Sequence, residues 1–128
     1  MKHLKPLNEE INEMKKGDVI AVDFDGVIHG YSKGWQKGII YDAPVPGCKE
    51  ALEKLRSAGY KIWIFSARQE EAGIKEYMEK NNLPYDRIHM GRKPMQAILF
   101  IDDKAITFEG NWEKTVQDVQ SFVPWTKK

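Results

Sequence analysis

Two aspartates stand either side of a phenylalanine in VIAVDFDG, residues 19 to 26, and two more stand side by side in ILFIDDKA, residues 98 to 105. Between them, in KIWIFSAR at 61 to 68, an apolar run ends in Ser66. Ionised carboxylates that converge in a partly buried place repel one another and lose hydration, so they need a cation among them. A donor set made of oxygens alone suits Mg²⁺, with waters and a substrate phosphate completing its shell. No histidine or cysteine lies near enough in sequence to indicate zinc. Taken singly, Asp25-Gly26 reads as a turn and Asp102-Asp103 as a solvated loop or helix cap. Three such features, each at the end of an apolar run, read together as a site.

The elements that must position these residues follow from the apolar patterning. VIAV at 19 to 22 is continuous and partly β-branched, as a strand covered on both faces reads. PGCKEALEKLRSAG at 46 to 59 is an amphipathic helix with Ala51, Leu52 and Leu55 on one side and Gly59 as its stop, and KIWIF is a second buried strand. A helix over 69 to 80, a short strand at 88 to 90 and a third strong strand AILFI at 97 to 101 follow. ITF at 106 to 108 reads as another short strand. Asn111 is placed to cap a last helix whose Trp112, Val116 and Val119 share a face, with Trp112, Phe122 and Trp125 expected in the core. NEEINEMKK at 8 to 16 reads as a leading helix with Leu7, Ile11 and Met14 inward. Such alternation predicts an α/β fold: a three-layer, Rossmann-like parallel sheet with helices on both faces. In such sheets sites lie beyond the carboxyl ends of the strands, and that rule brings Asp23, Ser66, Asp102 and Asp103 to one edge.

Composition bounds the rest. The 128 residues, 41% hydrophobic and 30% charged, fit one domain over 1–128 with a real core. Twenty basic against 19 acidic side chains leave a formal charge of +1, too little to make nucleic acid or membrane an obligatory partner. The single cysteine, Cys48, has no internal partner; no signal-peptide core and no apolar run of about 20 residues occurs. A cytoplasmic, reducing compartment is the expectation.

VIAVDFDGVI, KIWIFSAR, GRKP and ILFIDDKA, in that order over about residues 18 to 108, resemble the four motifs of the haloacid dehalogenase-like (HAD) hydrolase superfamily, most of whose members are phosphatases. The resemblance is to the small, capless type. It implies Asp23 as the nucleophile that attacks phosphorus and Asp25 as the general acid and base. It implies Mg²⁺ held by Asp23, the main-chain carbonyl of Asp25 and Asp102, with Asp103 in support, and a phosphate held by Ser66 and Lys93. Only eight residues separate Lys93 from Asp102, so the helix that family members commonly place there is absent, and the lysine must reach back along an extended stretch. Arg68 and Arg92 are the substitutes for that cation. Neighbouring acids are expected to raise the pKa of Asp25, and metal contact to keep Asp23 ionised.

Many superfamily members carry a cap domain, and this chain has no room for one: residues 28 to 45 suffice only for a short β-hairpin flap. The site is therefore expected to be open, which favours bulky or polymeric phosphoesters or a closing partner. In the flap Tyr31, Trp35 and Tyr41 interleave with Lys33 and Lys37, a pattern that either holds a nucleotide or single strand or packs the flap onto the core. His29 reads as structural. The resulting expectation is an Mg²⁺-dependent phosphomonoester hydrolase acting on a small molecule or a polymer end. The alternatives are a phosphatase of nucleotides or nucleic-acid ends, a phosphoacceptor signalling domain and a non-catalytic metal-binding module. Receiver domains open with their acidic pair and end with the lysine, whereas here the adjacent pair comes last.

Overall fold

The computed structural model describes residues 14–127. Strands and helices alternate as β1 Val19–Asp23, α1 Cys48–Ser57, β2 Lys61–Ser66, α2 Glu71–Lys80, β3 Arg87–Met90, β4 Ala97–Ile101 and α3 Trp112–Ser121, followed by a 3-10 turn at Trp125–Lys127. The strands form one sheet in the order β3-β2-β1-β4, and every pairing is parallel. The chain thus runs outward from β1 to β3 and then returns to the other side of β1. That reversal between β1 and β4 is where open α/β sheets form a crevice at their carboxyl edge.

The apolar runs of β1 and β2 supply Ile20, Val22, Ile62 and Ile64 to a core completed by Phe24, Ile28, Leu52, Ile74 and Met78. Leu52 is the buried face of α1, and Ile74, Tyr77 and Met78 are that of α2. α1 packs against β2 and α2 against β3. The element types and order are those the patterning implies, with strand and helix ends moved by one or two residues.

Several expectations fail. Residues 28–45 form no β-hairpin: among the described residues the bridges there are single ones, Asp25 with His29 and His29 with Pro44. Positive φ at Tyr31, Gly34, Lys37 and Gly38 turns the backbone too often for a ladder to run. ITF at 106–108 pairs with no strand among the described residues and is no strand itself. β4 is an edge strand with Ile98, Leu99, Phe100 and Ile101 exposed rather than buried, because among the described residues no helix packs on it. α3 packs on no other strand or helix among the described residues, so Trp112, Phe122 and Trp125 are exposed rather than core. Of the helix expected over 8–16, residues 8–13 lie outside the described residues and 14–16 are not helical, although Met14 packs against the core. Among the described residues no helix is long and apolar enough to cross a membrane.

Candidate functional site

Register decides which acids meet. Asp23 ends β1 opposite Phe65 of β2, and Val22 lies opposite Ile101 of β4, so the next step along both chains sets Asp23 beside Asp102. Asp23, Asp102 and Asp103 each offer a carboxylate oxygen, all within 4.8 Å of one another and all half-buried. Burial, the neighbouring Asp103 carboxyl and the charges of Asp102 and Asp103 push Asp23 up to about 8, against one opposing hydrogen bond from the Phe24 N–H at 2.9 Å. Three oxygen donors that crowd Asp23 with like charge fit a hard divalent cation. Gly26 makes the approach possible: it takes φ +85°, and a Cβ there would collide with the Asp103 carboxylate.

Asp25 sits two residues on in a different environment. Arg68 grips it in a fork, Nε to Oδ2 at 2.8 Å and Nη2 to Oδ1 at 2.9 Å, while His29 Nδ1 meets Oδ1 at 2.8 Å. The other ring nitrogen, Nε2, accepts from the Asp42 N–H at 3.1 Å, so the proton of the neutral ring resides on Nδ1 and is donated to Asp25. Burial alone would raise Asp25; the His29 and Arg68 bonds outweigh it and hold the carboxyl below its ordinary value. The expected order of the two acids is therefore inverted in the metal-free protein. Asp23 has repelling neighbours, whereas Asp25 has two donors from residues the DFDG spacing does not reveal.

The remaining expected residues also reach this edge. Ser66, buried at the end of β2, accepts from the Arg68 N–H at 3.0 Å, leaving its own hydroxyl hydrogen to donate. Lys93 does reach back: its Nζ lies 2.9 Å from Asp102 Oδ2, over the rings of Phe65 and Phe100. With the Lys104 N–H it outweighs the burial of Asp102 and holds that carboxyl low. Arg68 faces Asp25 and the Gly38 carbonyl, at 3.0 Å, rather than standing free as a substrate cation. His29 is wholly buried and structural, as read. Cys48 lies outside the cavity described below, and burial pushes its thiol up to about 11, which removes it as a nucleophile at neutral pH.

A cavity of about 830 Å³ opens over these groups, lined by Asp23, Asp25, Ser66, Arg68, Asp102 and Asp103 and walled by Tyr31, Trp35 and Lys37 of the 28–45 loop. Lys104 and Glu70 line it too and were not singled out from sequence. Lys104 carried a signal, since it directly follows the acidic pair at a strand end. Trp125 carried none: its indole Nε1 donates to the Gly26 carbonyl at 2.6 Å and pins the turn after Asp25 from 99 residues away.

No protein-family profile and no curated protein sequence matches this chain. Solved structures of similar fold include two from bacteria. One is a structural-genomics target from Vibrio cholerae, 22% identical with a TM-score of 0.51, covering 78% of this chain and 94% of its own. The other is a conserved protein from Bacteroides thetaiotaomicron, 23% identical with a TM-score of 0.54, covering 88% of this chain and 97% of its own. At these identities the likeness establishes a shared α/β fold with a parallel sheet.

Proposed function

We propose that the chain is a HAD-like, Mg²⁺-dependent phosphomonoester hydrolase working through an aspartyl phosphate at Asp23, on a three-layer Rossmann-like scaffold. The observation that carries this reading is the meeting of Asp23, Asp102 and Asp103 within 4.8 Å at the sheet's carboxyl edge. Ser66 and Asp25 line the same cavity, and Lys93 is paired to Asp102. Mg²⁺ would be held by Asp23, Asp102, Asp103 and the Asp25 main-chain carbonyl; when bound it supplies the positive charge that lets a carboxylate approach a phosphate dianion.

Asp23 Oδ attacks phosphorus as the ester oxygen leaves, and Ser66 Oγ–H and Lys93 Nζ stabilise the phosphoryl oxygens through the transition state. Water then cleaves the acyl phosphate, releasing inorganic phosphate and restoring the Asp23 carboxylate. Asp25, held ionised by Arg68 and His29, suits this second step as the base that takes a proton from the water. To protonate the leaving alcohol in the first step it must loosen from the Arg68 fork and first take up a proton from solvent, the proton it then passes to the departing oxygen.

The test is a phosphatase screen with Mg²⁺ over sugar phosphates, nucleotides and phosphorylated nucleic-acid ends, repeated with Asp23→Asn. Turnover that disappears in a folded Asp23→Asn variant is expected, and retained turnover would sink the covalent route. A long-lived phosphoenzyme with no turnover would favour the phosphoacceptor alternative, and Mg²⁺ binding with neither would favour the metal-binding module.

A further inference from the structure

The 28–45 loop divides its aromatic residues between two tasks. Tyr41 is structural: its ring stands edge-on to His29 with centroids 4.8 Å apart, its hydroxyl donates to the Gly34 carbonyl at 2.7 Å and accepts from the Lys33 N–H at 2.8 Å. Asp42 ties the loop again by accepting from the Ser32 N–H at 2.7 Å, and Arg68 ties it to the sheet through the Gly38 carbonyl. On this fastened loop Trp35 is nevertheless 59% exposed, and it lines the cavity that holds Asp23. Its ring lies 5.0 Å from the Arg68 guanidinium carbon, and a Cβ at Gly38 would stand 3.9 Å from its Cη2. The indole is thus propped from beneath by a cation and a bare backbone, while much of it still faces solvent.

A large apolar ring held in water is unfavourable unless something covers it, and a second planar π system is the cover that also matches its face. One guanidinium alone separates Trp35 from the Asp25 carboxylate, since Arg68 touches both. The cavity, about 830 Å³, is far larger than a phosphate needs and lies within the range of about 300–1,000 Å³ typical of small-molecule sites. Lys37, on the same wall, supplies a cation for a neighbouring phosphate or ribose hydroxyl.

Resting on the phosphomonoesterase reading, we infer that the substrate is a nucleoside monophosphate, free or at the terminus of a single strand, with its base stacked on Trp35 and its phosphate at Asp23. The test compares kcat and KM with Mg²⁺ for adenosine 5′-monophosphate, adenosine 3′-monophosphate, ribose 5-phosphate and an oligonucleotide carrying a terminal phosphate, in the native protein and in Trp35→Ala and Trp35→Phe. Binding of the same compounds is measured by calorimetry in the Asp23→Asn protein. Loss of stacking at Trp35→Ala is expected to raise KM about tenfold or more for whichever nucleoside phosphate is preferred, with a smaller loss on ribose 5-phosphate and most of the affinity kept in Trp35→Phe. The mononucleotide and oligonucleotide arms separate the two sources of the same chemistry. Equal losses on ribose 5-phosphate and on the nucleotides, or no preference for a base in the native protein, would overturn the inference while leaving the hydrolase reading intact. Absence of all turnover, with base-dependent binding that Trp35→Ala removes, would overturn the hydrolase reading and keep the stacking site.

Discussion

Asp23 and Asp25 are two residues apart and titrate in opposite directions. Asp23 keeps its proton to about 8 in the fold but only to its ordinary 3.8 when unfolded. Between those values the native state binds more protons, so its stability falls as pH rises through that window. Asp25 has the reverse linkage: its pKa is lowered, so its contribution is present above the ordinary value and lost as pH falls through the native one. In the metal-free protein the thermal midpoint is therefore expected to fall between about pH 5 and pH 8, and Asp23→Asn to flatten that fall. Added Mg²⁺ should raise the midpoint most at the alkaline end, where Asp23 is charged, and should do so less in Asp23→Asn. Differential scanning fluorimetry across pH, with and without Mg²⁺, checks both. A midpoint indifferent to Mg²⁺ at pH 8 would remove the acidic cluster as a cation site.

At the scale of elements, β1, β2 and β4 each end at the same edge, and their register sets Val22 opposite Ile101 and so brings Asp23 beside Asp102. The strand types were legible because VIAV, IWIF and AILFI are unbroken apolar runs, and their parallel pairing was legible because helices with a 3.6-residue stripe stand between most of them. The 28–45 loop was not legible as it stands, since alternating aromatics and glycines look alike in a hairpin and in a loop fastened by side chains. Nor was the tie from the 3-10 turn to the first strand. Trp125→Phe keeps an aromatic side chain and deletes the indole N–H bond to the Gly26 carbonyl. It is expected to cost about 1 kcal/mol in urea unfolding and to make the C-terminal segment more open to limited proteolysis. An unchanged cleavage pattern would show that this bond does not hold the segment.

Across the whole molecule, stability is unevenly distributed. β1, β2, α1 and α2 enclose the core, whereas β4 shows its apolar side chains and α3 leaves Val116 and Val119 exposed. Ile64, wholly buried, should cost about 2–5 kcal/mol when changed to alanine, because it loses both transfer energy and packing. Val116→Ala should stay within about 0.5 kcal/mol. Urea unfolding followed by circular dichroism measures the contrast. A large loss at Val116 would mean that α3's apolar face is covered in solution.

What the sequence by itself determined is the kind of sheet and the acids at its edge. Apolar runs and helical stripes are local, a few residues long, and burial of those runs leaves their polar ends at one rim. Tertiary structure alone decided the state of each acid and the surroundings of the site. Arg68 chooses Asp25 across 43 residues and Trp125 chooses Gly26 across 99. A carboxyl's pKa depends on which donors and charges lie within a few ångströms, and long-range packing sets that neighbourhood. For the same reason AILFI was recognisable as a strand but not as an edge: an apolar run specifies that a strand forms, and only the completed sheet specifies which strand has no second neighbour.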